Sequence, residues 1–527
     1  MNECLPTSKV TLVGLDGASL TFIRDWAGRG ELPGFQKLFK EGGWGGLRST
    51  IPPISPSAWT SIFTGVSPGK HGIFGFVKRR EGSYFLRPIG SGDVRVPFLW
   101  QILTEQGIKS SWVHIPFVYP PEPINGALIT GLGTPSRKSE FTYPPQLRAE
   151  LLRRYPKFDV DFNEDQIELS HNIALSLRKI EEVTDASIRI FEDQRADMSN
   201  SLVAAVFRAL DVVQHYRIHE HATLLRVYQK FDQLIGRCLD SLDSTEVLIV
   251  CSDHGFREVK RNFHLNNWLE SLGITEMRKE PVLARLGLKA ETFQKILVGL
   301  GLKELVWRIK RSDIVEILLR YLPSDDFNVG INWSNTKAYY MGNEGGTIYL
   351  NVQGREPNGV VIKGPQSKAI TEKLLTSARE IKDPVTGEPV VSQAFGSAEF
   401  YPKCIPDAPE VLLVENDPYT FSGRYNYTKE LFTDVGAKRG DHSMEGILFI
   451  GGDNVKSLPL PDASVCDITP TILYLLGIPI PEYIDGKILG AAFRGHSPGQ
   501  NKPSLKSTPE KQHIAETIER LRKYGKL

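Results

Sequence analysis

The chain has 527 residues, and its 63 Lys and Arg nearly balance 62 Asp and Glu, leaving a net charge of +1. Such a balance gives no general field for nucleic acid or an anionic membrane, so an anionic ligand must be held by local charge. The length predicts two or three domains, or one large α/β domain with an insertion.

The five cysteines, Cys4, Cys238, Cys251, Cys404 and Cys466, are scattered and odd in number, with no Cys-x-x-Cys. This argues against a disulfide framework and against a thiolate zinc site. The N-terminal segment reaches a strand without a basic region followed by an apolar one. No uncharged apolar run is long enough to span a bilayer. The expectation is a cytoplasmic protein with no membrane segment.

In chain order, "KVTLVGLDGAS" (9–19) reads as a buried strand that stops at Asp16-Gly17, and "PGFQKLFKEGG" as a helix stopped by Gly42-Gly43. "STIPPISPSAWTSIFTGVSPGKHGIFGF" (49–76) sets hydroxyls and prolines ahead of a helix over Ala58–Phe63. "FLWQILTEQGIKSSWVHIPFVYPP" gives a helix and a strand, and "GALITGLGTPS" a strand into a Gly-rich turn. A helical segment follows in "IALSLRKIEEVTDASIRIFEDQRADM", then a buried strand in "SLVAAVFRALDVVQHY". "VYQKFDQLIGRCLDSL" is a helix, and "EVLIVCSDHGF" a strand with a polar end. Buried strands alternating with helices predict a mostly parallel sheet covered by helices on both faces, with ligands beyond the C-terminal strand ends.

The pattern changes near residue 275: residues 275–330 are helical and basic, and 331–400 strand-rich. The sequence therefore predicts a core over 1–274, an inserted α+β cap over 275–400 and a return to the core over 401–492. A Pro/Ser/Lys-rich linker over 493–509 and a C-terminal helix over 510–527 complete the organisation.

Chemistry-bearing residues collect at the strand ends. Asp16 precedes a glycine, which leaves room for a metal, although an Asp in a plain turn reads the same way. Asp211 and His215 are four apart and share a helix face. Asp253 and His254 end a buried strand, where adjacent side chains point in different directions. His442 lies in the polar loop "RGDHSMEG". His114 also ends a strand. Three Asp and three His suit zinc and tolerate manganese or iron; they are too many for one open catalytic site and fit two metals sharing a substrate oxygen.

The order Asp16, hydroxyl-rich helix start, Thr-Gly-x-x-Pro-x-x-His-Gly, Asp-x-x-x-His, Asp-His-Gly and Gly-x-His resembles the alkaline phosphatase superfamily. Within it, the chain is most similar to the type I phosphodiesterase / nucleotide pyrophosphatase family, over about 8–270 and 330–490, including "DITPTILYLLGIPIPEYIDGKIL". The resemblance implies one divalent metal on Asp211, His215 and His442, and a second on Asp16, Asp253, His254 and a nucleophilic hydroxyl. Ten positions before Gly65 the nucleophile falls on Ser55, with Ser57 the competitor. There the helix N-terminus favours an anion, and Pro52, Pro53 and Pro56 stiffen the approach. Thr60, Ser61 and Thr64 are read as helix-surface or capping residues, and His71 as a turn histidine.

The implied activity is hydrolysis of a small-molecule phosphate ester, a diester or pyrophosphate. A phosphomonoesterase or phosphoryl transferase is the alternative, and a non-catalytic binding protein a distant third. Ser-Pro-Ser-Ala-Trp stands where nucleotide-acting relatives carry Thr-Phe-Pro-Asn-His, so nucleotide preference does not follow. Lys78, Arg79 and Arg80 are the basic residues available to a substrate. No Cys-x-Pro-Ser-Arg of a sulfatase is present.

Overall fold

The computed structural model describes residues 9–162, 173–277, 330–342, 345–401, 403–423, 425, 428–495 and 504–505. They fall into two compact units, one drawn from Met1–His71, Gly90–Arg257 and Ala437–Leu527, the other from Gly72–Ile89 and Glu258–Gly436.

The first unit is built on a ten-stranded sheet. Its strands are β1 (Lys9–Leu15), β2 (Gly43–Arg48), β3 (Ser110–Ile115), β4 (Gly126–Thr130), β5 (Thr142–Tyr143), β6 (Leu202–Phe207), β7 (Glu246–Cys251), β8 (Glu445–Gly451), β9 (Leu458–Pro459) and β10 (Ala463–Ser464). They lie in the order β9-β2-β8-β7-β1-β6-β3-β4-β5, with β10 also on β2. The run β7-β1-β6-β3-β4 is parallel, whereas β8 is antiparallel to both β7 and β2. The sheet is thus mixed, with its predicted parallel character kept at the centre.

Both faces of the central strands are apolar, which is why these strands read as unbroken hydrophobic runs. In β6, Leu202, Ala204 and Val206 enter one core, and Val203, Ala205 and Phe207 the other. One face is covered by α1 (Leu20–Gly28), α2 (Pro33–Glu41), α5 (Ile173–Ala196), α6 (Ala209–Arg217) and α7 (His221–Asp240). The other carries α3 (Ser55–Thr64), α4 (Leu99–Glu105) and α8 (Ile468–Leu475).

Strand direction puts the chemistry on one edge. The adjacent parallel strands β6, β1 and β7 deliver Asp211, Asp16 and Asp253-His254 just past their C-terminal ends. Because β8 runs the other way, the segment before it reaches that edge too; His442 lies there in a short strand, Gly440–Ser443, and not in the polar loop read from the sequence. Two antiparallel steps make β2 parallel to β7, so the chain leaving β2 starts α3 at the same edge.

The second unit has a four-stranded sheet in the order Ala338–Tyr340, Gly346–Leu350, Val411–Glu415, Val391–Gly396, all antiparallel, with helix Pro365–Arg379 packed on it through Leu374, Leu375 and Ala378. It also includes the hairpin Val77–Arg79/Leu86–Pro88. Tyr84 of this hairpin stacks on Trp333 with ring centroids 3.6 Å apart and donates to Asn351 Oδ1 at 2.7 Å. Asn351 belongs to "NVQGRE" (351–356), whose Arg355 pairs with Glu410, and whose buried Glu356 meets Arg79 Nη1 at 2.7 Å. That hexapeptide is a hydrogen-bonding node that fastens the hairpin into its unit.

The boundaries differ from those read in the sequence. The second unit begins at Glu258 rather than 275, runs to Gly436 rather than 400, and takes in 72–89 as well. The run "PEVLLVEN", assigned to the core return, supplies an inner strand of the second unit's sheet. Residues 278–329 of the predicted basic helical stretch and the helix over 510–527 lie outside the described residues. So does the linker, apart from 493–495 and 504–505; the latter pair with Ile480–Pro481.

Candidate functional site

Helix α3 opens with Ser55 at its first position, Pro56 in its first turn and Ile54 extended before it. It closes on Gly65, whose φ of 70° is the left-handed value that a helix-ending glycine supplies without strain. All ten residues of α3 are buried. This corrects the reading of Thr60, Ser61 and Thr64 as helix-surface or capping residues. Thr60 and Thr64 donate to the carbonyls four residues back, at 2.7 Å each, and Ser61 Oγ lies 2.9 Å from His71 Nε2. His71 also hydrogen-bonds the Ser57 backbone, and burial lowers its pKa to about 3, so it braces the helix as a neutral imidazole.

The predicted ligand residues gather in two adjoining groups. In the first, Asp211 Oδ1, His215 Nε2 and His442 Nε2 form a triangle with edges of 3.3, 3.3 and 3.4 Å. In the second, His254 Nε2 stands 3.1 Å from Asp253 Oδ2, 3.2 Å from Ser55 Oγ and 3.6 Å from Asp16 Oδ1. Ser55 Oγ is 3.5 Å from Asp16 Oδ1. Asp211 joins the groups, since atoms of Asp16, Asp211 and His254 lie within 4.8 Å of one another.

The histidines are oriented by their other nitrogens: His215 Nδ1 meets Gly440 O at 2.8 Å, and His254 Nδ1 meets Gly255 O at 3.0 Å. Such bonds put an N–H on Nδ1 and turn Nε2 toward the site, the orientation of a metal-ligating imidazole. Burial, with His254 alongside, lowers the His442 pKa to about 4, which keeps that ring neutral.

The carboxylates are strained electrostatically. Burial, with Asp253 and Asp211 nearby, pushes the Asp16 pKa well above its ordinary range, and burial likewise raises Asp253. Burial opposes ionisation of Asp211 too, but His215, His442 and Arg208 hold it well below that range. Asp211 Oδ1 and Asp253 Oδ2 are buried with no hydrogen-bond donor. Orphaned buried carboxylate oxygens beside imidazole nitrogens are what a cation would satisfy. A tetrahedral shell with bonds of ~2.0–2.1 Å has edges of roughly 3.3–3.4 Å, the size of the Asp211–His215–His442 triangle. The residues present therefore fit divalent metal ions.

Sequence reasoning missed two side chains, Trp59 and Arg208. Trp59 Nε1 donates to Asp16 Oδ2 at 3.0 Å. It lies so close to β1 that a Cβ on Gly14 would come within 2.5 Å of its Cη2, so only glycine fits there. Arg208 Nη2 donates to Asp211 Oδ2 at 3.3 Å, its Nε lies 3.9 Å from Asp16 Oδ2, and its Nη1 pairs with Asp161. The available signal was a lone Arg between a buried strand and the helix of Asp211. Of the other candidates, His114 is buried and bonds Val160 O at 2.9 Å. Lys78 and Arg79 belong to the second unit, where the charge of Arg79 is matched by Glu356. No helix among the described residues is long and apolar enough to cross a membrane.

Comparison with known proteins gives the chain's family and fold. The profile of the type I phosphodiesterase / nucleotide pyrophosphatase family matches residues 10–444. No curated protein sequence gives a match. Among solved structures, phosphonoacetate hydrolase from Sinorhizobium meliloti 1021 in complex with phosphonoformate is similar at 13% identity and TM-score 0.53, over 90% of this chain and 96% of that one. Wild-type alkaline phosphatase PafA is similar at 13% identity and TM-score 0.54, over 93% and 99%. At such identities the structural likeness speaks to the fold, which is the α/β fold of alkaline phosphatases; the family profile, spanning most of the chain, speaks to the lineage. The chain accordingly belongs to the type I phosphodiesterase / nucleotide pyrophosphatase family, phosphoryl-ester hydrolases within the metal-dependent alkaline phosphatase superfamily.

Proposed function

We propose that this chain hydrolyses a small-molecule phosphate diester or pyrophosphate, with Ser55 as nucleophile and two divalent metal ions. One ion is assigned to Asp211, His215 and His442, the other to Asp16, Asp253, His254 and Ser55. Zinc suits this mixed N/O set best, and manganese or iron also fit. The observation that carries the reading is Ser55 Oγ, 3.2 Å from His254 Nε2 at the first turn of a fully buried helix.

Bound to these groups, divalent ions would lower the pKa of the serine hydroxyl and offset charge on the phosphoryl oxygens. The protein's own contribution is positional. The free amides and dipole at the start of α3 favour the anionic phosphoryl group next to Oγ. Attack by Oγ forms the O–P bond and gives up the hydroxyl proton as the P–O bond to the leaving group breaks; that group takes a proton and departs as alcohol from a diester, or as phosphate from a pyrophosphate. Water then attacks phosphorus, the Ser55 O–P bond breaks, and a phosphate monoester is released. Cys238, Cys251, Cys404 and Cys466 are free thiols, which supports the reading of a cytoplasmic protein.

The second reading is a phosphomonoesterase, favoured by the likeness in fold to a protein named as an alkaline phosphatase. Metal content by mass spectrometry, with hydrolysis of bis-p-nitrophenyl phosphate and p-nitrophenyl phosphate, tests both on wild type, Ser55→Ala and Ser57→Ala. The expected result is about two metals per chain, a preference for the diester, and loss of turnover on the order of 10³-fold or more in Ser55→Ala with its metals retained. Full activity in Ser55→Ala would move the nucleophile to Ser57. Faster monoester turnover would favour the second reading.

A further inference from the structure

Each carboxylate of the site has one oxygen held by a protein donor and one turned toward its ligand group. Asp16 Oδ2 receives Trp59 Nε1–H at 3.0 Å, while Oδ1 faces Ser55 Oγ and His254 Nε2. Asp211 Oδ2 receives Arg208 Nη2–H at 3.3 Å, while Oδ1 faces His215 and His442. Asp253 Oδ1 receives the Gly17 amide at 3.2 Å, while Oδ2 faces His254. The two oxygens of a carboxylate are chemically equivalent, so only its surroundings decide which one is offered.

We propose that Trp59 and Arg208 are positioning residues that fix which oxygen the metal-ligating carboxylates present, Trp59 for Asp16 and Arg208 for Asp211. The inference rests on the two-metal reading above. Ser55 and Trp59 are four residues apart and share one face of α3. One rigid helix therefore meets both oxygens of Asp16, Ser55 at Oδ1 and Trp59 at Oδ2. The indole is itself immobile: it is 1% exposed, stacks on Phe63 with centroids 5.6 Å apart and occupies the space left by Gly14. Arg208 is 6% exposed, and its fork is pinned at the far end by Asp161, which the Phe162 amide orients at 2.8 Å. A guanidinium so fixed donates in one plane only, which a lysine ammonium does not reproduce.

The competing role for Arg208 is simple charge balance among buried carboxylates. The two roles predict opposite signs. Removing a cation that only balances charge leaves the cluster more anionic and tightens cation binding. Removing a group that orients a ligand weakens binding, typically 10–100-fold.

The test is calorimetric titration of zinc into the chelator-stripped full-length protein, with the melting temperature of the metal-free form measured alongside. Trp59→Phe keeps an aromatic ring and removes the donor. It is expected to weaken one zinc site about 10–100-fold and leave the other unchanged. Arg208→Met is expected to weaken the other site by a similar factor, with partial recovery when guanidinium is added at sub-denaturing concentration. Arg208→Lys should remain defective. If Arg208→Met does not fold, Asp161→Asn frees one end of the guanidinium and should shift affinity in the same direction. Unchanged or tighter zinc binding in Trp59→Phe and in the Arg208 or Asp161 variant overturns the proposal. A wild type that takes up no zinc overturns the two-metal reading and this inference with it. Two zinc ions in the wild type and unaltered affinities in the variants overturn the positioning role alone.

Discussion

Ser55 Oγ stands 3.2 Å from His254 Nε2, although 199 residues separate them in the chain. The contact joins the start of α3 to the end of β7, and it makes His254 a member of the Ser55 group and not of the Asp211–His215–His442 triangle. His254→Asn is therefore expected to lose one metal per chain and keep the other, and His215→Asn the reverse. Metal content after dialysis, by mass spectrometry, checks this. Loss of both metals in either variant would mean that the two groups do not bind independently.

Gly14 and Trp59 are coupled by space. An alanine methyl at 14 meets the indole edge at 2.5 Å, in rigid surroundings. Gly14→Ala should destabilise the protein by about 1–3 kcal/mol, the usual cost of overpacking a core. In a Trp59→Phe background the same change should cost clearly less, because the atom it strikes is gone. Melting temperatures of the four proteins form the cycle, and additive losses would contradict the coupling.

Acid should weaken the fold through its buried imidazoles. Burial lowers the pKa of His71 to about 3 and that of His114 to about 4, below the unfolded value near 6.5. Below about pH 6.5 the unfolded chain takes up protons that the folded chain refuses. The stability present above that pH is thus lost as pH falls toward about 4 and about 3, by about 1.4 kcal/mol per pH unit for each ring. Melting curves of the metal-free protein between pH 7.5 and 4.5 should show this loss, and His71→Gln should flatten the slope. An unchanged slope in that variant would remove His71 from the account.

The pair Arg79–Glu356 allows a separate test in the second unit. Glu356 is buried, and its carboxylate meets Arg79 at 2.7 Å as well as Arg355. Arg79→Met should cost roughly 3–5 kcal/mol, the range for breaking a buried ion pair from one side. Adding Glu356→Gln should recover part of it. Urea denaturation of the single and double variants gives the comparison, and a single variant as stable as wild type would show that Arg355 alone suffices for Glu356.

Much of the site was legible because Asp16, Asp253 and His254 end runs too apolar to be anything but buried strands, and a polar residue there has few structural uses. Asp211 and His215 were legible through their four-residue spacing. His442 was ambiguous alone and needed the family's motif order, because the strand after it was legible but its antiparallel direction, which brings His442 in, was not. Trp59 passed for one more apolar residue of α3, since nothing in its spacing reveals an indole N–H aimed at Asp16. The second unit was misjudged at its edges for two reasons. Strands of three residues, such as Val77–Arg79, are too short to show a period, and "PEVLLVEN" is as apolar as a core strand because it lies inside a sheet of its own.

The long excursion between the two parts of the triangle also sets a timetable for synthesis. His215 and His442 lie 227 residues apart, with almost all of the second unit's chain between them. At ribosomal speeds of roughly 5–20 residues per second, about 10–45 s pass between their appearances. Throughout that interval Asp211 and His215 wait in a nascent chain without their third partner. The triangle is closed only when the tail of the protein arrives, so a chain stalled inside the excursion never carries a complete site.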